Sequence, residues 1–376
     1  MKMVRCLLGD IITFQRGYDL PRIKMEPGEY PVVGSNGIIG YHNQYTTEAP
    51  CITIGRSGNV GGPQIQFGRA WAHNTTLFVK EFKNVDPVFV YYLLLMLDLG
   101  NYAGGSAVPT LNRNHIHSLP ITIPAEIESQ KRIAGILSSF DDKIEVNNQI
   151  NRNLEEQAKA IFKSWFVDFE PFQEGEFVDS ELGRIPQGWK ISSLSNIASF
   201  LNGLAMQKYR PEEDDPGLPV LKIKELHQGY CDTNSDRCSS EIPEQYIIHD
   251  GDVVFSWSGT LLVDFWCGGE CGLNQHLFKV TSEKFDKWFY FLWISHHLAE
   301  FSAIAEGKAT TMGHIKREHL DQAKVLLPSA SDYNTISSIL KPLCDQIVLN
   351  RIVSKQIAIL RDNLLPKLMS GEITIS

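Results

Sequence analysis

The sequence predicts a mixed α/β (α+β) fold. Two globular modules with curved sheets are separated by two long helices that form an antiparallel coiled coil, as an internal pseudo-twofold repeat. Three observations predict it. Segments of the first half recur in the second in the same order. Two long stretches share one heptad register. The remaining regions are short β-rich runs broken by Gly and Pro.

The repeat spans about half the chain. LGDIITFQRG (8–17) matches LSNIASFLNG (194–203), with Leu, Ile, Phe and Gly in register. ITIGRSGN (52–59) matches VVFSWSGT (253–260), each a strand running into a Ser-Gly turn. NTTLF (74–78) matches NQHLF (274–278), and LNRNHIHSLPITIP (111–124) matches IKREHLDQAKVLLP (315–328).

The repeat continues into the helices. Residues 126–167 contain no Pro and are rich in Glu, Lys, Gln, Ala, Ile and Leu. Steps of four and three give a seam of Ile133, Leu137, Phe140, Ile144, Asn147, Asn151, Leu154, Ala158, Ile161 and Trp165. The second helix repeats that register as Ile336, Leu340, Leu343, Ile347, Asn350, Ser354, Ile357, Arg361, Leu364 and Leu368. The polar step at Asn147 and Asn350 fixes register at some expense of stability. A helix over 126–167 is ~60 Å long and needs a partner for its apolar seam. Its own repeat is the simplest one, and two unrelated surface helices are the plainer alternative. Pro342 is expected to kink the first turns of the second helix or to delay its start.

Each globular module holds β-rich runs, such as APCITIG and GDVVFSWSG, and one apolar helix, DPVFVYYLLLML (86–97) or FDKWFYFLWISHHL (285–298). Residues 171–189 carry Pro, Gly and acidic residues without periodicity, and read as the joint between halves. The expected domains are therefore 1–125, 126–170 (helix 1), 171–189 (linker), 190–330 and 331–376 (helix 2 and tail).

A chain of 376 residues suits two or three domains, and 43% hydrophobic with 21% charged residues is a globular composition. No run of about 18 apolar residues predicts a membrane span. The N-terminal MKMVRCLLGDIITFQRG lacks a long apolar core and a cleavage site, so a cytoplasmic chain is expected. Seven irregularly spaced cysteines read as reduced thiols. A zinc site from Cys231, Cys238, Cys267 and Cys271 is the alternative, disfavoured because no Cys-x-x-Cys pair is present. The net charge of -9 argues at first against nucleic acid. Yet the acid is concentrated in two runs, Glu174 to Glu181 and Glu212 to Asp215, while residues 1–125 are slightly basic. A DNA-binding protein needs a local positive surface, not a positive total.

Three further segments are specific in combination. LPITIPAEIESQKRIAGILSSFDDKIEVNNQINRNLEEQAKAIFKSWFVDF, DSELGRIPQGWKISSLSNIASF and RDNLLPKLMSGEI, in this order, resemble the specificity subunits of type I restriction-modification systems. The resemblance covers essentially the whole chain. It implies two target recognition domains, each reading one half of a split, asymmetric sequence in double-stranded DNA, with the helices setting the gap. It also implies two modification (methyltransferase) subunits and restriction (motor-nuclease) subunits as partners. S-adenosylmethionine, ATP and Mg are expected on those partners and no cofactor on this chain.

The motifs of catalysis are absent from the sequence. There is no P-loop, no Gly-rich dinucleotide turn, no Asn-Pro-Pro-aromatic segment and no carboxylate–lysine cluster of a nuclease. The string GRSGNVGG (55–62) lacks the Lys and following helix of a phosphate cradle and reads as a sheet turn. His296 and His297 read as the polar face of a packed helix. Trp288, Phe289, Phe291 and Trp293 read as core, since base stacking is mainly a single-strand device. Neither a catalytic residue nor a metal ligand is expected.

Base edges are read by Arg, Lys, Asn, Gln, Ser and Thr on loops held by rigid sheets. In the first module the candidates are Arg56, Ser57 and Asn59, then Asn36, His73 and Asn74, and Arg113 and Asn114 in AGGSAVPTLNRN. In the second they are Trp257, Ser258 and Thr260, then Gln275 and His276. The stretch EGKATTMGHIKR adds Lys308, Thr310, Thr311, His314, Lys316 and Arg317, and Lys222 and Lys224 are placed on a further loop. Two other classes compete. One is a methyltransferase fused to a recognition module. The other is a non-catalytic coiled-coil adaptor that binds proteins instead of DNA.

Overall fold

A computed structural model describes residues 1–104, 109–307 and 313–375. It divides into two compact units, one of Met1–Ile144 with Ile357–Ser376, the other of Glu145–Gln356.

The first unit opens with β1 (Met3–Leu7), a short α1 (Leu8–Ile11), β2 (Ile12–Arg16), β3 (Tyr30–Gly34) and β4 (Gly37–His42). It continues with β5 (Cys51–Gly55), β6 (Pro63–Gln66), β7 (Trp71–Ala72), β8 (Thr76–Phe82), α2 (Pro87–Met96), α3 (Arg113–His117) and β9 (Pro120–Pro124). One antiparallel sheet has the order β2-β8-β5-β6, a second has β4-β3-β7, and β1 pairs with β9. β5 is buried along its whole length because both its faces are covered. Ile52 and Ile54 join Phe89, Val90 and Leu93 of α2 in the main core, while Cys51 packs with Val33 and Ala70 on the other face. α2 starts at Asp86, whose carboxylate accepts the Phe89 N–H at 2.9 Å, with Pro87 at the first helical position.

From β9 the chain enters α4 (Ile127–Phe166). The second unit then holds β10 (Phe177–Ser180), β11 (Gly183–Pro186), β12 (Lys190–Ser193), α5 (Leu194–Ile197), β13 (Ser199–Asn202), β14 (Leu218–Leu221) and α6 (Ile223–Gln228). It goes on through β15 (Arg237–Cys238), β16 (Ile247–Ile248), β17 (Val253–Ser256), β18 (Leu262–Phe265), β19 (Cys271–Leu273) and β20 (Leu277–Thr281). α7 (Lys287–Gly307), α8 (Arg317–Gln322) and β21 (Lys324–Leu327) follow, and α9 (Ala330–Ser370) ends the chain, its part from Ile357 belonging to the first unit. The sheet order β13-β20-β17-β18 repeats β2-β8-β5-β6 element for element, and β12 pairs with β21 as β1 does with β9. Even the rare parallel pairing recurs, between β3 and β7 and between β14 and β19.

Within the second unit α4 and α9 run antiparallel. The Asn147 amide donates to Ser354 Oγ at 3.0 Å, the Asn350 amide to Asn151 Oδ1 at 2.9 Å, and the Asn151 amide to the Ile347 carbonyl at 3.2 Å. Partners fall in number as α4 rises. Arg351 bridges Glu155 at 2.8 Å and Asp264 of β18 at 2.7 Å, tying the helix pair to the sheet. Ile336, Leu340 and Ile347 are buried along this seam, with Leu154, Ile161 and Leu343 half-buried. Within the first unit Ile133 and Leu137 share a core with Leu365, Leu368 and Met369. Phe140, Ile144, Ile357 and Leu364 are half-buried there.

The structure refines three sequence expectations. α9 starts at Ala330 and runs without a break through Pro342, so its start is not delayed there; the residue is exposed and lacks the N–H of one backbone hydrogen bond. The stretch 171–189, which shows no periodicity in sequence, carries an antiparallel hairpin of β10 and β11, with Ser180 paired to Gly183. At the end of α4 the deeply buried residues are Phe162 and Phe166, not the neighbouring Ile161 and Trp165. The last turns of α4 rotate toward the aromatic core of Trp189, Trp288, Phe289 and Trp293. That stripe is core, as read from the sequence, with Phe291 half-buried.

Candidate nucleic-acid interface

In the first unit four loops meet at one end of the β2-β8-β5-β6 sheet. The stretch 56–62 joins antiparallel β5 and β6, and Gly55 exchanges hydrogen bonds with Gly61 and Gly62 across it. Arg56 and Ser57 donate their N–H groups to the Thr75 carbonyl at 2.8 and 3.2 Å, fixing this loop to the turn before β8. The Leu111 N–H donates to the Arg56 carbonyl at 3.0 Å, and Ser57 bridges to Thr110. The β3–β4 turn carrying exposed Asn36 joins them, because the Ser35 N–H donates to Thr75 Oγ1 at 3.2 Å. The structure thus brings Asn36, Arg56, Ser57, Asn59, His73 and Asn74 to neighbouring loops, whereas Arg113 and Asn114, expected on a loop, form the first turn of α3 behind the Asn112 cap. Asn74 is held by Asp19, and His73 by Thr75 Oγ1 at 3.1 Å.

Arg16, at the end of β2, lines one cleft of about 380 Å³ with Arg56, Thr110, Asn112 and Arg113. Sequence reasoning missed Arg16 because it looked for bases on loops. The signal was present in the alignment of LGDIITFQRG with LSNIASFLNG, where Arg16 stands opposite Asn202. Burial, reinforced by Arg113 and Lys83, pushes the His117 pKa below its ordinary value. The neutral Nε2 accepts the Phe14 N–H at 2.9 Å, so this histidine props the strand. Burial also lowers the pKa of His73.

The second unit builds the same meeting of loops with other side chains. Ser258 bridges to His314 as Ser57 does to Thr110, and the Ile315 N–H donates to the Trp257 carbonyl at 3.0 Å. Trp257 Nε1–H donates to Asn202 Oδ1 at 2.9 Å. Buried Ser258 lies 3.1 Å from His276 Nδ1, and the Gln275 amide 3.3 Å from His276 Nε2. Arg317 donates to the Phe200 carbonyl at 3.3 Å and lies 5.9 Å over the Phe278 ring. Thr260, His314, Lys316 and Arg317 are exposed here. Lys308, Thr310 and Thr311 lie outside the described residues.

Lys222 and Lys224 are not on a free loop. Lys222 caps the start of α6 and Lys224 lies within it. Lys222 pairs with Asp236, and Lys224 with Asp232 at 3.2 Å, so both charges are already met inside the protein. Lys222 lines a larger cleft of 610 Å³ with Gln207, Arg210, Arg237, Gln275 and His276, residues unremarked in sequence except the last two and Lys222 itself. Arg237 spends its guanidinium on the Pro216 and Gly217 carbonyls. Among the described residues no cluster of His, Cys, Asp or Glu has a metal-binding arrangement, and no helix is long and apolar enough to cross a membrane.

Comparison with known proteins follows the same line. The type I restriction modification DNA specificity domain matches residues 2–156 and 186–358, once in each repeat. The chain is 28% identical to the type I restriction enzyme MjaIX specificity subunit of Methanocaldococcus jannaschii, over 81% of this chain and 75% of that one. It is 24% identical to the MjaVIII specificity subunit of the same organism, over 98% and 92%. Its fold is that of the type I restriction-modification S subunit from M. genitalium, with a TM-score of 0.62 at 15% identity over 98% of this chain and 96% of that one.

Proposed function

The chain belongs to the type I restriction-modification DNA specificity family, and from that premise we propose that it is the non-catalytic, sequence-reading subunit of a cytoplasmic type I complex. Each unit reads one half of a split, asymmetric target in double-stranded DNA. The paired helices set the gap between the half-sites. The chain scaffolds two methyltransferase subunits and the motor-nuclease subunits, which bring S-adenosylmethionine, ATP and Mg.

One observation carries this reading. The bridges Ser57–Thr110 and Ser258–His314 occupy the same place in two copies of one topology, while the side chains around them differ. A common scaffold with divergent loops is what two different half-sites require. Ion-paired Lys222 and Lys224 are the weakest members of the proposed reading set, and the clusters around Arg56 and Trp257 the strongest.

Co-expression with the neighbouring modification subunit, followed by mapping of methylated positions on genomic DNA by single-molecule sequencing, tests it. A gapped, asymmetric motif methylated on both strands is expected. An ungapped palindrome would sink the split-target reading. A stable complex with no motif would leave a protein-binding adaptor instead. Exchanging residues 1–125 should alter one half-site only, and shortening both helices by two turns should alter the gap and not the bases.

A further inference from the structure

The internal repeat supplies two versions of one interface within a single chain, and the comparison separates two kinds of contact. Arg113 in the first unit corresponds to Arg317 in the second, so this cation is kept. Arg16 corresponds to Asn202 and Arg56 to Trp257, so these two are not. The correspondence is structural as well as sequential. Arg16 and Asn202 end the equivalent strands β2 and β13, and Arg56 and Trp257 follow β5 and β17.

The environments differ accordingly. In the first unit three guanidiniums line one cleft, and among its described lining residues there is no carboxylate. Arg56 and Arg113 make no ion pair with another described residue, and Arg16 approaches only exposed Asp19, at 3.9 Å. Like charges so placed repel one another, and a ligand rich in hydrogen-bond acceptors relieves that repulsion. At the three equivalent positions of the second unit Asn202 and Trp257 hydrogen-bond to each other, and only Arg317 keeps a guanidinium.

Resting on the DNA-reading function proposed above, we infer that Arg16 and Arg56 read guanine in the half-site taken by the first unit, while Arg113 and Arg317 hold backbone phosphates in both half-sites. A phosphate contact serves any sequence, so two equivalent docking surfaces keep it. A base contact must change when the half-site changes. The guanidinium fork matches guanine O6 and N7, and Arg56 presents its fork from a backbone pinned on both sides, by Thr75 and Leu111.

The test uses the full chain in complex with its methyltransferase partner. Wild type and the variants R16A, R56A, R113A and R317A select duplexes from a randomised pool, and the affinity for one selected duplex is titrated with salt. R16A and R56A are expected to lose guanine preference about ten- to a hundredfold at base pairs of one half-site, leaving the other half-site intact. R113A and R317A are expected to weaken binding to all sequences alike and to lower the salt slope by about one. Should R56A not fold, R56Q keeps the stem and gives the same readout. Uniform weakening by R16A and R56A with a lowered salt slope would make them phosphate contacts and overturn the inference. So would a first half-site without guanine. A wild-type complex that selects no motif would instead overturn the DNA-reading function itself.

Discussion

The Asn350 amide donates to Asn151 Oδ1 at 2.9 Å across the helix pair, with both residues buried. The repeat that takes Asn147 to Asn350 also takes Asn151 to Ser354. It therefore exchanges this hydrogen bond with the one from Asn147 to Ser354. Any slip of one helix along the other places these polar groups against apolar seam residues. Asn151→Ala removes the acceptor of the buried Asn350 amide and a second donor to the helical Ile347 carbonyl, and is expected to destabilise by about 1–3 kcal/mol. Asn151→Leu with Asn350→Leu removes both partners and is expected to lie nearer to wild type, with a less defined register. Denaturant unfolding of the single and double variants decides this. A double variant as unstable as the sum of its singles would show that the pair is not a lock.

The reach of the sequence follows from which forces are local. Heptad spacing is local, so Ile133, Leu137, Ile336, Leu340 and Ile347 are legible as seam residues in the sequence, and they are buried. The rotation of α4 toward Phe162 and Phe166 could not, because it is imposed by Trp189, Trp288 and Trp293 from distant segments. Lys222 and Lys224 read as a free basic loop only while Asp236 and Asp232 are ignored, and chain folding brings those acids within reach. Arg16 stayed hidden for the same reason. Its nearness to Arg56 and Arg113 comes from the order β2-β8-β5, which pairing across the sheet decides.

Gly17 and Gly203 close the matched segments with which each repeat begins, and their places are fixed by close backbone approach. A Cβ on Gly17 would stand 2.1 Å from the His73 carbonyl oxygen, and one on Gly203 2.2 Å from that of Asn274. Gly17→Ala must push away the turn at 73–76, on which the Arg56 loop hangs through Thr75. A loss of about 1–3 kcal/mol is expected, together with weakened recognition of one half-site. Gly203→Ala should do the same to the other. Bind-and-sequence profiles of the two variants check this, and damage to both half-sites by either variant would contradict it.

Stability should fall in alkali. Burial pushes the Cys267 thiol up to about 11 from an unfolded value of 9.0. A raised folded pKa means that its contribution is whole below pH 9 and is lost as pH climbs toward about 11. Tyr92, Tyr290 and Tyr333 are likewise raised by burial above 10.0, so their losses begin about one pH unit later. Urea unfolding at pH 8, 9.5 and 11 should show the decline. Cys267→Ala should flatten its first part by roughly 2–3 kcal/mol at most. A decline of unchanged shape in that variant would assign it to other groups.

Pro342 lies inside α9, twelve residues from its first residue, Ala330, and twenty-eight from its last, Ser370. It has no N–H to give the Ser338 carbonyl, and its ring crowds that carbonyl. Both residues are exposed, so the unmet acceptor belongs to a residue on the solvent side of the helix. The flanking seam positions stay in place, with Leu340 buried and Leu343 half-buried. Pro342→Ala restores the missing hydrogen bond without touching the seam, and is expected to stabilise the chain by about 1–3 kcal/mol. Far-UV circular dichroism should show equal or greater helicity, and the denaturation midpoint should rise. A fall in the midpoint would mean that the ring holds a bend on which the pairing of α4 and α9 depends.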